Sequence, residues 1–283
     1  MREPADSTGS HLFLIFKTKY YNMKKQTFTI AAMLIVFATA GLLSSCSKWY
    51  GDPVTMNYSI NADYTKLDIS SAFDVTVSDD VAEAVVTLPE DLHSKLKLTV
   101  KDGTLEIGYK SWINVASNVK ATVVLPRNTQ LRDLEVSGAS SFVGDLYGTS
   151  SDIEVSGASK FNGSVVASSV DFDISGASDV SCFVDADEVE LDLSGSSDAN
   201  FEGVCAGKMD MDASGSSRLK ASALNTDVVT GNLSGSSDAD VTVCSRIAVA
   251  VSGASDLTYG TSSPDCHPTY GCTTSGSSSV TPR

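Results

Sequence analysis

Five pairs of carboxylates recur in the second half of the chain. Asp133 and Glu135, Asp152 and Glu154, Asp171 and Asp173, Glu190 and Asp192, and Asp210 and Asp212 stand four and two residues before the first serine of a Ser-Gly-Ala/Ser-Ser phrase. Acids repeated in one phase present oxygen ligands in rows. Ca2+ takes oxygen ligands in flexible geometry, and in extracellular modules it is often held weakly. A weak divalent-cation ladder is therefore one chemistry these residues could carry. The plainer one is a solvated face that keeps a strand-rich body soluble and discourages sideways sheet pairing. The chain lacks the Gly-Gly-x-Gly-x-Asp calcium repeat, which favours the plainer reading. A looser third column, Asp179, Asp198, Asp238 and Asp256, stands four residues after the same serine and is interrupted by Lys160 and Arg218.

The element that must position these acids is the repeat itself. The phrase starts at Ser137, Ser156, Ser175, Ser194, Ser214, Ser234 and Ser252, in steps of 18 to 20 residues, and a degenerate copy starts at Ser275. Apolar residues hold fixed places around it. Leu134, Ile153, Phe172, Leu191 and Met211 stand three residues before the serine, and Phe142, Phe161, Val180 and Leu219 five after. They alternate with the acids, which is the period-two mark of a strand with one buried face. A unit this short cannot bury its own face, so copies must stack on one continuous core. The expected fold is all-β, a parallel β-solenoid of about seven coils, ~4.8 Å per coil and roughly 34 Å long. The acids then face outward as two adjoining columns. Unit charges about 5 Å apart in water repel by about 0.8 kcal/mol, a tolerable cost for each neighbouring pair.

In such a stack Gly138, Gly157, Gly176, Gly195, Gly215, Gly235 and Gly253 are corner glycines, where the chain needs angles that a Cβ disfavours. The serines beside them can bond the corner backbone or one another. A serine nucleophile is a poor alternative. It would need a base within reach, the chain after Cys46 offers only His93 and His267, and a catalytic residue has no reason to recur seven times.

The first residues carry a different message. Met23-Lys24-Lys25 opens a short basic region, an apolar run follows from Phe28 to Leu43, and Leu43-Ser44-Ser45-Cys46 closes it. This is the pattern of a secretory signal, too short for a typical membrane span. Its last four residues look like a bacterial lipoprotein box, in which the cysteine is lipidated and becomes the mature N-terminus. Residues Met1 to Asn22 fit no part of a signal, so Met23 is read as the start. The chain divides into residues 1–45 (mis-started N-terminus and signal), 46–53 (lipidated linker), 54–130 (a β-rich domain capping the first coil), 131–260 (the solenoid) and 261–283 (a C-terminal cap or tail). The formal net charge is −15, and residues 1–45 hold five Lys/Arg against two Asp/Glu, so the mature chain is more acidic still. That argues against nucleic acid and against a polybasic contact with anionic lipid. The expected membrane contact is the lipid on Cys46.

Within residues 54–130, Leu96 to Val100 and Thr104 to Tyr109 read as a hairpin around Asp102-Gly103. Tyr109 and Trp112 could form an aromatic contact patch, although packing against the solenoid is the more ordinary use. With Cys46 spent on lipid, five cysteines remain. Cys266 and Cys272 lie close in "CHPTYGC" and could bridge in an oxidising envelope. A metal site with His267 between them lacks a fourth ligand nearby. Cys182, Cys205 and Cys244 read as single buried thiols.

"SSAFDVTVSDD", "KLTVKDGTLEIGY", "ATVVLP" and the recurring "LEVSGAS", which together span roughly Tyr64 to Ser255, are similar to the putative auto-transporter adhesin, head GIN domain family, mostly envelope lipoproteins of Bacteroides-type bacteria. The resemblance implies a right-handed β-helix behind a lipid anchor. It brings no catalytic residues and no agreed ligand. The expected function is that of a non-enzymatic cell-envelope lipoprotein of the outer membrane, an adhesin or binding module for a glycan or protein. The first alternative is a carbohydrate-active β-helix protein resembling a polysaccharide lyase, for which Arg218, Lys220 and Arg246 are the basic residues near repeat faces. The second is a periplasm-facing scaffold. No cofactor beyond the weak Ca2+ ladder is expected, and no oligomeric state is legible.

Overall fold

The computed structural model describes residues 50–110 and 119–283. Cys46 and Trp112 lie outside the described residues. The N-terminal part supplies β1 (Pro53–Tyr58), β2 (Lys66–Ile69), β3 (Phe73–Ser78), β4 (Ala84–Pro89), one helical turn α1 (Glu90–His93), the hairpin β5 (Leu96–Lys101) and β6 (Thr104–Tyr109), and β7 (Ala121–Pro126). The repeats supply β8 (Asp133–Val136), β9 (Ser141–Tyr147), β10 (Ser150–Val155), β11 (Lys160–Val166), β12 (Ser169–Ile174), β13 (Asp179–Leu193), β14 (Asp198–Ala213), β15 (Arg218–Leu233), β16 (Asp238–Val251) and β17 (Asp256–Gly260). Two short strands, β18 (Thr269–Tyr270) and β19 (Thr273–Thr274), and then β20 (Ser279–Pro282) complete the order.

Two parallel ladders meet at the Ser-Gly corner. The pre-corner ladder stacks β6, β2, β8, β10, β12 and the second halves of β13 to β16. The post-corner ladder stacks β7, β3, β9, β11, the first halves of β13 to β16, then β17 and β20. In the long strands the register shifts between Ala186 and Glu188, between Cys205 and Lys208, and between Thr226 and Val228. These bulges mark the second corner, where the chain passes from one ladder to the next without leaving strand geometry. The fold is thus the expected parallel solenoid. It has about eight turns, close to the seven expected, and the degenerate Ser275 copy closes a turn as well. Its Ser277 amide donates to the Gly253 carbonyl at 2.7 Å, as the earlier corners do.

The core runs between the ladders, and one repeat position fills each layer. Leu134, Ile153, Phe172, Leu191 and Met211 are all buried, as are Phe142, Phe161 and Val180 across from them. Phe142 stacks on Phe161 at 5.9 Å between ring centroids, and Phe172 tilts against Phe201 at 4.7 Å. Residues 54–130 continue the same ladders. Lys66–Ile69 pairs in register with Asp133–Val136, and β3 joins β9 through Asp74 and Ser141. β6 and β7 stack outside this turn, and antiparallel β5, β4 and β1 lie beyond them. Tyr109 tilts against buried Phe73 at 5.0 Å, so it packs inward.

The disulfide differs from the expected one. Cys266 bonds Cys244, with Cα atoms 4.6 Å apart, and Cys272 is free. The solenoid explains this. Cys244 ends the post-corner run of one turn and Cys266 follows that of the next, so stacking places them side by side although 22 residues separate them. Cys272 instead precedes β19, whose Thr273 aligns with Ala250, and packs against the core near Val249. Cys182 and Cys205 are buried thiols, and burial pushes the Cys205 thiol up to about 11.

Candidate functional site: an acidic ladder and a charge-paired trough

The corner holds both faces in register. Gly176 has φ 78°, and a Cβ there would stand 2.3 Å from the Gly157 carbonyl oxygen. The Ala177 amide donates to that same oxygen at 2.8 Å, so each corner is bonded to the one before it and no side chain fits between. The last serine of each phrase turns inward. Ser159, Ser178, Ser197, Ser217, Ser237 and Ser255 form a buried column. The Ser178 hydroxyl donates to the Ser175 carbonyl at 2.8 Å, and the Ser217 and Ser237 hydroxyls close their own corners in the same way. These are structural hydroxyls. His93, which the sequence offers as one conceivable base, accepts from the Tyr58 hydroxyl at Nδ1 (2.8 Å) and donates from Nε2 to the Val54 carbonyl (2.9 Å), tying α1 to β1.

On the pre-corner ladder the five pairs fall into the two expected columns. Asp133, Asp152, Asp171, Glu190 and Asp210 align rung by rung, and so do Glu135, Glu154, Asp173, Asp192 and Asp212. The second column reaches two rungs further, through Asp68 and Glu106. Both were missed from the sequence, yet "LDIS" at Leu67–Ser70 reads like "LDLS" at Leu191–Ser194. The copy was hidden because its corner, Ser70-Ser71-Ala72, has no glycine and places Ser71 and Ala72 at φ 69° and 64°. At the other end Thr230 and Asn232 replace the acids and donate to Asp210 and Asp212, each at 2.8 Å.

The electrostatics record the crowding. Partial burial raises Asp68, Glu154, Asp171 and Asp192 above the usual carboxylate range, and neighbouring acids of the ladder add to it. Asp210 is held below that range because Lys208 bonds it at 2.5 Å. Lys66 reaches Glu135 at 3.4 Å and Lys97 reaches Glu106 at 2.7 Å. Among the described residues no group of three or more His, Cys, Asp or Glu converges as metal ligands. Each carboxylate is presented singly, on its own rung.

The post-corner ladder is built differently. Its outer column reads Ser141, Lys160, Asp179, Asp198, Arg218, Asp238 and Asp256. Lys160 bonds Asp179 at 2.6 Å and Arg218 bonds Asp198 at 3.2 Å. Two residues on stands a parallel column of Asn162, Ser181, Asn200 and Lys220. Between the columns lies a shallow trough of about 260 Å³, floored by Phe161, Val180 and Ala199. Of the basic residues considered for a lyase, Arg218 is ion-paired, Lys220 borders the trough, and Arg246 belongs to the pre-corner ladder beside Val228. Arg218 and Lys220 share the post-corner face, and Arg246 lies on the other.

A family model described as putative auto-transporter adhesin, head GIN domain, matches residues 63–262. This chain belongs to that family. Solved structures agree on the fold. A putative adhesin from Parabacteroides distasonis ATCC 8503 superposes with a TM-score of 0.72 at 21% identity, covering 82% of this chain and 98% of that one. A putative adhesin from Parabacteroides merdae ATCC 43184 gives 0.70 at 18% identity, covering 82% and 97%. A protein from Parabacteroides distasonis ATCC 8503 described as a putative lipid binding protein gives 0.69 at 20% identity, with the same coverage. At these identities the likeness is one of fold. No curated protein matches the chain. Among the described residues no helix is long and apolar enough to cross a membrane.

Proposed function

We propose that this protein is a non-enzymatic lipoprotein of the cell envelope, held by a lipid on Cys46, whose solenoid presents a binding surface to a glycan or protein partner. The observation that carries the reading is the in-register stacking of outward side chains along each ladder, interrupted only by the bulges between the ladders, over a core locked corner to corner. A frame of that kind holds a surface still, and preorganised groups bind with less loss of entropy. Membership of an adhesin-named family supports the same reading. Ser178, Ser217 and Ser237 spend their hydroxyls on the backbone of their own corners, which weighs against a hydrolase built on them. The Leu-Ser-Ser-Cys box supports the anchor. Protease shaving of intact cells, with lysed cells and surface biotinylation as controls, tests the display. Loss of the solenoid from intact cells is expected. Loss only after lysis places it inside the envelope and removes partners outside the cell. Radiolabelled palmitate on the wild type and not on Cys46→Ala is the expected sign of the anchor.

A further inference from the structure

We infer that the post-corner trough is a binding site for a neutral oligosaccharide lying along the solenoid axis, across the rungs from Asn162 to Lys220. The inference rests on the reading of the protein as a binding module and names its site and ligand class. Three observations carry it. First, the trough is a concave feature lined by two cations, Lys160 and Lys220, and two carboxylates, Asp179 and Asp198, whose formal charges cancel, with Lys160 bonded to Asp179 and Asp198 to Arg218. A ligand without charge meets little net field there, whereas the acidic ladder would repel anions and draw cations. Second, the side chains of Asn162, Ser181, Asn200 and Lys220 make no hydrogen bond or ion pair with other described residues. Amide, hydroxyl and ammonium groups stand free in one column, opposite carboxylate oxygens of Asp179 and Asp198. That is a mixed set of donors and acceptors, the complement of vicinal hydroxyls, each of which both donates and accepts. Third, successive free groups repeat at the rung spacing, ~4.8 Å, which is about the length of one pyranose residue. Each sugar in turn therefore meets a rung that carries a free polar side chain.

The floor is formed by buried Phe161, Val180 and Ala199 and offers no aromatic face for stacking. A single chain should accordingly bind weakly, about millimolar, with avidity supplied by many lipid-anchored copies side by side. The test uses the full mature chain on beads, probed with a panel of neutral oligosaccharides and, in separate arms, uronic-acid and sulfated ones. The wild type is expected to capture at least one neutral series. The triple variant Asn162→Ala, Ser181→Ala, Asn200→Ala should lose that capture at least tenfold, and Asp171→Asn with Asp192→Asn should leave it unchanged. Circular dichroism of each variant checks that the solenoid is intact, and Lys220→Ala serves as a second variant if the triple one misfolds. Capture of none of the neutral series, capture of acidic sugars alone, or capture indifferent to both trough variants overturns the assignment. Shaving of intact cells reads the parent proposal separately, since a surface-exposed protein with an idle trough would keep the first and lose the second.

Discussion

The two ladders share every coil, every corner and one core, yet they treat charge in opposite ways. On the pre-corner side the repeat copies an acid onto each rung, and like charge stacks on like charge for five rungs in one column and seven in the other. On the post-corner side the column is broken at Lys160 and Arg218, and each of these two pairs with an acid on an adjacent rung, Asp179 and Asp198. A solenoid turns any conserved outward residue into a ladder, so fidelity of the repeat creates repulsion and only departures from it relieve repulsion. The acidic side keeps cations near and other acidic surfaces away. The post-corner side comes closer to balance between Lys160 and Lys220, with free amides and a hydroxyl beside the pairs.

The largest expected effects strike what the ladders have in common. Phe172→Ala removes a buried ring from the pre-corner side and Phe161→Ala removes one from the post-corner side. Each should cost about 3–5 kcal/mol. Chemical denaturation should show similar losses for the two, because one core serves both faces, and a loss confined to one variant would mean the faces unfold separately. Gly176→Ala comes next. Its Cβ meets the Gly157 carbonyl at 2.3 Å in a left-handed conformation, and strain of this kind costs about 1–3 kcal/mol. Gly103→Ala is the control. It also has positive φ but nothing within 4 Å, so the difference between the two variants isolates the stacking of the corners.

A smaller effect separates the faces by pH. Asp68, Glu154, Asp171 and Asp192 have carboxyl groups raised first by burial and then by neighbouring acids of the ladder. The folded chain then takes up protons before the unfolded chain does, so stability should rise as pH falls from neutral towards the ordinary carboxylate range, and be lost as pH rises through the raised values. Asp210, held down by Lys208, works the other way, its contribution fading as pH falls. Four raised groups against one lowered predict a melting temperature that peaks on the acid side of neutral. Asp171→Asn with Asp192→Asn should raise stability at neutral pH by less than about 1 kcal/mol, since these groups are largely exposed, and should flatten the acid-side peak. A profile that the double variant leaves unchanged would remove the ladder as its cause.

How much of this was legible in the sequence depends on whether the information was local. The Ser-Gly phrase announces its own period, and alternation of Phe172 and Ile174 with Asp171 and Asp173 fixes which face is buried, so the solenoid and both acidic columns could be read. The turn at Leu67–Ser78 could not be recognised through its corner, because Ser71 and Ala72 take up positive φ without a glycine. The order of turns was also hidden. β6 and β7 follow β3 in the chain but stack outside it, and no pattern along the sequence records that reversal. The Cys244–Cys266 bond escaped for the same reason: proximity in a solenoid follows the coil, and the short Cys266–Cys272 spacing was the weaker guide. At the candidate site, the interruption by Lys160 and Arg218 was visible. The trough was not, because it depends on two columns standing side by side.

The smallest expected effect tests the comparison most directly. Arg218→Gln removes one exposed ion pair, worth about 0.2–1 kcal/mol at most, and leaves Asp198 between Asp179 and a neutral rung. The reciprocal change, Asp192→Lys, places a cation between Asp173 and Asp212 and gives the acidic face the arrangement that Lys160 gives the other. If charge pattern alone distinguishes the faces, Arg218→Gln should make stability rise with added salt more than in the wild type, because screening now relieves repulsion and there is no pair left to weaken. Asp192→Lys should make it rise less. Thermal melts of the two variants across a salt series check this, and equal salt slopes in both would mean that the backbone ladders, and not the columns of charge, set the behaviour of each face.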